Sequence, residues 1–147
     1  MSTDRDAILN ALFQRLKTKL GSNVATIGRR HMMPPNLTSA MQPALFVVQG
    51  GEVREPHPRG TGGKITLHVF LVAYCYDNAA NVDGTTQLNI LIGRIEDALA
   101  PDLPNIGEPQ TLGGLAYQCW IEGEADIDPG VFGQQAVAII PVRILVP

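Results

Sequence analysis

The chain has 147 residues, 45% of them hydrophobic and 17% charged, with a formal net charge of −3. That length suits one domain, 1–147, which buries about 68–70% of its unfolded surface and leaves no room for a second. The 11 Lys and Arg are scattered and outnumbered by 14 Asp and Glu, which excludes a duplex-gripping protein, because neutralising phosphates takes clustered cations.

The N-terminus is charged and amphipathic, so no signal peptide is expected. No apolar run approaches the ~20 residues that cross a bilayer, so no membrane partner is expected. Folding in a cytoplasm follows, with Cys75 and Cys119 as reduced, buried small hydrophobes.

Thr3 reads as an N-cap, with Asp6 three residues on, for a helix with an apolar stripe of Ile8, Leu9, Leu12, Phe13, Leu16 and Leu20, stopped by Gly21. A short strand is expected at 24–27. The Arg29-Arg30-His31 triplet after it suits either an acidic partner or a solvated strand end. The apolar run 44–49 predicts a buried strand that stops at Gly50-Gly51. Residues 52–63 hold Gly, Pro and charges without apolar periodicity, which predicts an exposed loop and a contact arm.

Lys64–Tyr76, reading KITLHVFLVAYCY, is the stretch on which the rest depends. Thirteen residues without Pro or Gly span roughly 40 Å when extended, about twice an ordinary strand. Ile65, Leu67, Val69, Leu71, Ala73 and Cys75 form one apolar face suited to helices. Thr66, His68, Phe70, Val72, Tyr74 and Tyr76 form the other, suited to solvent or a second subunit.

A second helix is expected over 85–100, with Leu88, Leu91, Ile92, Ile95 and Leu99 on one side and Pro101 as its stop. Alternation predicts a strand at 115–126, then a turn at Asp128-Pro129-Gly130 and a last strand at 135–146. Pro141 lies inside that strand and predicts an edge or a bulge. The order implies an α+β fold: a single domain with a mixed, mostly antiparallel sheet of about four or five strands and two α-helices on one face.

The chemistry-bearing patterns are weak. Gly60-Thr61-Gly62-Gly63-Lys64 lacks the first Gly, the following Ser or Thr, and the helix of a phosphate loop, so no nucleotide cofactor is expected. His31, His57 and His68 lack metal-ligand spacing, and no Cys or Ser nucleophile stands in a known motif. Glu122, Glu124, Asp126 and Asp128 recur at every second residue, which in an extended chain puts four carboxylates on one face. They suit a hard cation or acid–base work, a solvated strand end, or, in a ring, an inner wall that repels DNA phosphates and lets DNA pass.

The segment Gln42-Pro43-Ala44-Leu45-Phe46-Val47-Val48-Gln49-Gly50-Gly51-Glu52, the later Gln110-Thr111-Leu112-Gly113-Gly114, Ile121-Glu122-Gly123, and the closing Gln135-Ala136-Val137-Ala138-Ile139-Ile140-Pro141-Val142 resemble the bacteriophage tail terminator (minor tail protein U-like) family. The resemblance covers essentially the whole chain. It implies a non-enzymatic virion tail protein, assembled in the bacterial host cytoplasm as a homo-hexameric ring. Such a ring caps the tail tube, ends its polymerisation and offers the surface for the head–tail connector or neck. Head-side connector and tail-completion proteins share this size and fold and stay open as alternatives, as does a small enzyme or ligand-binding domain around His68, Tyr74 and Tyr76. Residues expected at subunit or tube contacts are Arg54, Glu55, Arg59 and Lys64, with Glu122, Glu124 and Asp126 near a lumen or interface.

Overall fold

The computed structural model describes residues 3–32, 37–56, 63–76, 85–103, 107–129 and 135–146. Helix α1 spans Arg5–Leu20 and buries Ile8, Leu9, Leu12, Leu16 and Leu20. Its N-cap is Asp4, one residue beyond the expected Thr3, because the Asp4 carboxylate accepts from the Ala7 N–H at 3.0 Å. Gly21 ends it with φ of 53°, a left-handed backbone that suits glycine.

Strand β1 (Thr26–Gly28) pairs parallel with β2 (Ala44–Glu55), and the connection between them crosses the sheet. Strand β2 does not stop at Gly50-Gly51. Between the pairs Gln49↔Val69 and Glu52↔Leu67 it carries one more residue than its partner, a β-bulge. A Cβ at Gly50 would sit 2.7 Å from the Phe70 ring and 3.0 Å from the His68 carbonyl oxygen, so only glycine fits there. The extra residue reverses which side chains face the helices: Leu45 and Val47 before the bulge, Glu52 and Arg54 after it. The expected loop therefore begins as strand.

Strand β3 (Lys64–Tyr76) is central, between β2 and β6 (Gln135–Val146) in the order β1-β2-β3-β6-β4, where β4 is Gln118–Ile121, with β5 (Asp126–Asp128) also on β6. Helix α2 is Thr85–Ala98 and buries Leu88, Leu91, Ile95 and Ala98. Both helices pack on the face made by Leu67, Val69, Leu71, Ala73 and Cys75 of β3 and the even-numbered residues from Ala136 to Val146 of β6. The Arg15 guanidinium joins the helices by donating from Nε to the Ala98 carbonyl at 2.6 Å, where helix carbonyls lack partners, and from Nη2 to Asp102 at 2.7 Å.

The expected single strand at 115–126 is two short strands, β4 (Gln118–Ile121) and β5 (Asp126–Asp128), which makes six among the described residues. Gly123, at φ 92°, breaks the extended chain between them. Pro141 is not on an edge strand either. Strand β6 lies between β3 and the β4–β5 pair, and Pro141 faces the end of β4, where its missing N–H leaves no gap in a continuing ladder.

The second face of the sheet is half covered. Met32, Leu37 and Met41 of the β1–β2 crossover pack on Phe46, Val72 and Tyr74. No described helix is long and apolar enough to cross a membrane.

Candidate functional site

Of the expected contact arm, 52–55 lie in β2 and Lys64 opens the antiparallel β3, while 57–62 lie outside the described residues. Register brings Arg54 opposite Ile65 and Glu55 opposite Lys64, so three of the four arm residues stand together at one end of the β2–β3 pair, where Ile65 also pairs with Val146 of β6. Arg59 lies outside the described residues. A Cβ at Gly63 would overlap the Glu55 carbonyl oxygen, so the returning strand needs glycine at that point.

At the base of the arm is Glu52, a residue whose role has no signal in the sequence. Its carboxylate accepts from Arg5 Nε at 3.1 Å and Arg5 Nη2 at 2.9 Å, in a forked pair, and lies 3.6 Å from Arg54 Nη2. The hydrogen bond from Arg5, helped by both guanidinium charges, holds the Glu52 carboxyl below its ordinary value. Arg5 and Glu52 are 47 positions apart, and only the bulge turns Glu52 toward α1.

The acidic residues do not form one line. Glu122 closes the β4 ladder by donating its N–H to the Pro141 carbonyl at 3.1 Å, and its carboxylate lies 3.7 Å from Arg143 Nε. After the break at Gly123, Glu124 and Asp126 are exposed, and Asp126 opens β5 opposite Ile139. Glu122 and Glu124 thus belong to the kink between β4 and β5, and Asp126 and Asp128 to β5.

On the second face, His68, Arg143 and Trp120 form one row across β3, β6 and β4, all half-buried. Tyr74, by contrast, is 4% exposed under the crossover. Its hydroxyl shares a 2.6 Å hydrogen bond with His31 Nε2, the two rings stack at 5.8 Å, and burial pushes the phenol pKa up. The tyrosine and His68 therefore share no pocket. A hollow of about 90 Å³ does reach His68, lined by Leu9, Gln49–Glu52 and Leu67 at the bulge.

Cys75 and Cys119 are free and buried, and burial pushes their thiols up to about 11 and about 12. Among the described residues no group of three His, Cys, Asp or Glu is placed to hold a metal ion. What the exposed charged residues offer is contact chemistry: a charged β2–β3 end at one side of the sheet and an acidic rim at the other.

No protein-family model and no curated protein matches the sequence. Solved structures do. A chain from the virion of a native gene transfer agent particle is similar over 99% of this chain and 98% of its own, with TM-score 0.56 and 13% identity. The gp17 protein of bacteriophage SPP1 matches over 99% and 96%, with TM-score 0.48 and 16% identity. At 13% identity the first likeness is one of fold, carried from end to end.

Proposed function

We propose that this chain is a non-enzymatic structural protein of a phage-type particle, a tail terminator that forms a ring of six copies on the end of the tail tube. The ring stops tube polymerisation and presents the surface to which the head–tail connector or neck attaches. Its partners are its own copies, the tube protein and the neck, and DNA passes through it without sequence-specific contact. Its place is the virion tail, reached by assembly in the host cytoplasm.

The observation that carries this reading is the fold shared over 99% of the chain with a component of a gene transfer agent virion. A charged β2–β3 end at one side of the sheet and an acidic rim at the other give a subunit two different contact surfaces, as a closed ring requires.

The test is electron microscopy of purified chain mixed with tail tubes and, separately, with connector rings. Rings on tube ends and arrested tube growth are expected. Binding to connector rings but not to tubes would move the protein to the head side of the joint, and binding to neither would overturn the reading.

A further inference from the structure

Along the sheet the cations of the first half stand at one edge, Arg29, Arg30 and Arg54 beside β1 and β2, while Arg15 of α1 reaches over to Asp102. Residues 1–64 hold nine of the 11 Lys and Arg but only four of the 14 Asp and Glu. Residues 95–142 hold eight Asp and Glu and no Lys or Arg. The sheet order sets the strands of these stretches on opposite sides of β3, with β1 and β2 from the first and β4, β5 and most of β6 from the second. The net charge of −3 conceals a polar molecule.

The β2 edge offers strand to a partner, whereas in β4 the Cys119 N–H is already taken by the Gln110 carbonyl at 2.8 Å, so the opposite edge offers its exposed carboxylates and β5. Strand β1 pairs with β2 only at Ala44, Leu45 and Phe46, and no described strand pairs with that side of β2 over 47–55. Arg30 follows β1 where this open stretch begins and is exposed, and Arg54 stands at its far end with 67% of its side chain exposed. Two of the acids on this side are already partnered, Asp6 by Arg29 and Glu52 by Arg5 and Arg54. At the opposite edge Glu122, Glu124 and Asp126 are all exposed, and of these Glu122 has Arg143 beside it.

We propose that the β2 edge of one copy, flanked by Arg30 and Arg54, docks head-to-tail on the acidic β4–β5 edge of a second copy. Strand direction fits this pairing. Strands β2 and β6 run one way and β4 and β5 the other, so in a ring whose axis follows the strands β2 runs antiparallel to its neighbour's β5 and to the acidic flank of β4. A two-fold dimer through the acidic edge would instead set carboxylates against carboxylates, which like-charge repulsion opposes. Closure into six rests on the terminator reading above, whereas the edge contact stands on the charge and topology of the chain alone.

The test measures self-association of the full chain by sedimentation over a range of concentration and salt. Three samples accompany wild type: Arg30→Glu with Arg54→Glu, Glu124→Lys with Asp126→Lys, and an equimolar mixture of the two. All four positions are exposed, and circular dichroism checks that each variant folds. Wild-type association is expected to weaken roughly tenfold or more between low salt and about 1 M, where the screening length falls to ~3 Å. Each variant alone should lose association, having two edges of like sign, and the mixture should regain it.

A wild type that stays monomeric throughout, a variant that associates like wild type, or a mixture that stays apart overturns the proposal. Charge-dependent association without rings on tail tubes would remove the terminator reading and leave the edge contact. Rings that persist on tubes with either edge reversed would do the opposite.

Discussion

Pro141 of β6 and Glu122, just past the end of β4, form a one-sided pair: the Glu122 N–H donates to the Pro141 carbonyl at 3.1 Å, and Pro141 has no N–H with which to answer. Strand β4 ends at Ile121, beside this pair, and the chain turns at Gly123, where a Cβ would lie 3.7 Å from Pro141 Cγ. The space is ordinary; the backbone, at φ 92°, is not.

Gly123→Ala is therefore expected to destabilise the fold by about 1–2 kcal/mol, the cost of a left-handed backbone for a residue with a Cβ. Pro141→Ala restores a donor at a site where the ladder already ends and should change stability by about 1 kcal/mol or less. Urea midpoints of the two variants check the order, and a larger loss for Pro141→Ala would show that the proline ring itself packs the site.

Adjacent glycines of the bulge make a sharper contrast. A Cβ at Gly50 meets the Phe70 ring at 2.7 Å, whereas one at Gly51 has nothing within 4 Å. Gly50→Ala is expected to cost about 1–3 kcal/mol through forced displacement of Phe70, and Gly51→Ala to stay within about 0.5 kcal/mol. Equal midpoints for the two variants would remove the steric account.

That bulge also marks where the sequence stops being legible. The alternation of β3 and the stripe of α1 were readable because each keeps one period from end to end, and the buried faces follow it. Strand β2 changes phase at Gly50, so Glu52 to Glu55 look aperiodic and their strand, with the Arg5–Glu52 pair it creates, is hidden. In the same way Glu122, Glu124 and Asp126 alternate in sequence, but a positive φ at Gly123 cuts the run, and no side-chain pattern announces that. The charge polarity was written in the sequence, yet it acquires meaning only once the strand order places the two halves on opposite edges.

Acid should weaken two ion pairs. The hydrogen bond from Arg5 holds Glu52 below its ordinary 4.5, and that from Arg15 holds Asp102 below its ordinary 3.8. A carboxyl depressed in the folded state contributes stability above its unfolded value and loses it as pH falls through the folded one, so the loss begins near 4.5 and continues downward. Thermal midpoints between pH 6 and pH 3 should fall less steeply in Glu52→Gln and Asp102→Asn than in wild type. Parallel curves would mean that neither pair differs between folded and unfolded chains.

The two thiols supply the last test. Cys75 lies on the helix-facing side of β3 and Cys119 on β4, each 2% exposed or less, with thiols pushed up to about 11 and about 12 by burial. Only a thiolate reacts with a disulfide reagent, so at pH 8 both sites should be silent in the native protein and react at the rate of a free cysteine in denaturant. The native rate then reports opening: Cys75, near the end of β3, is released when that strand parts from β6, with which it pairs over 65–76, while Cys119, on a strand of four residues, is released by local fraying. Cys75→Ala and Cys119→Ala separate the two signals, with Cys119 expected to react faster. A faster Cys75 would show that this end of β3 parts from β6 before β4 frays.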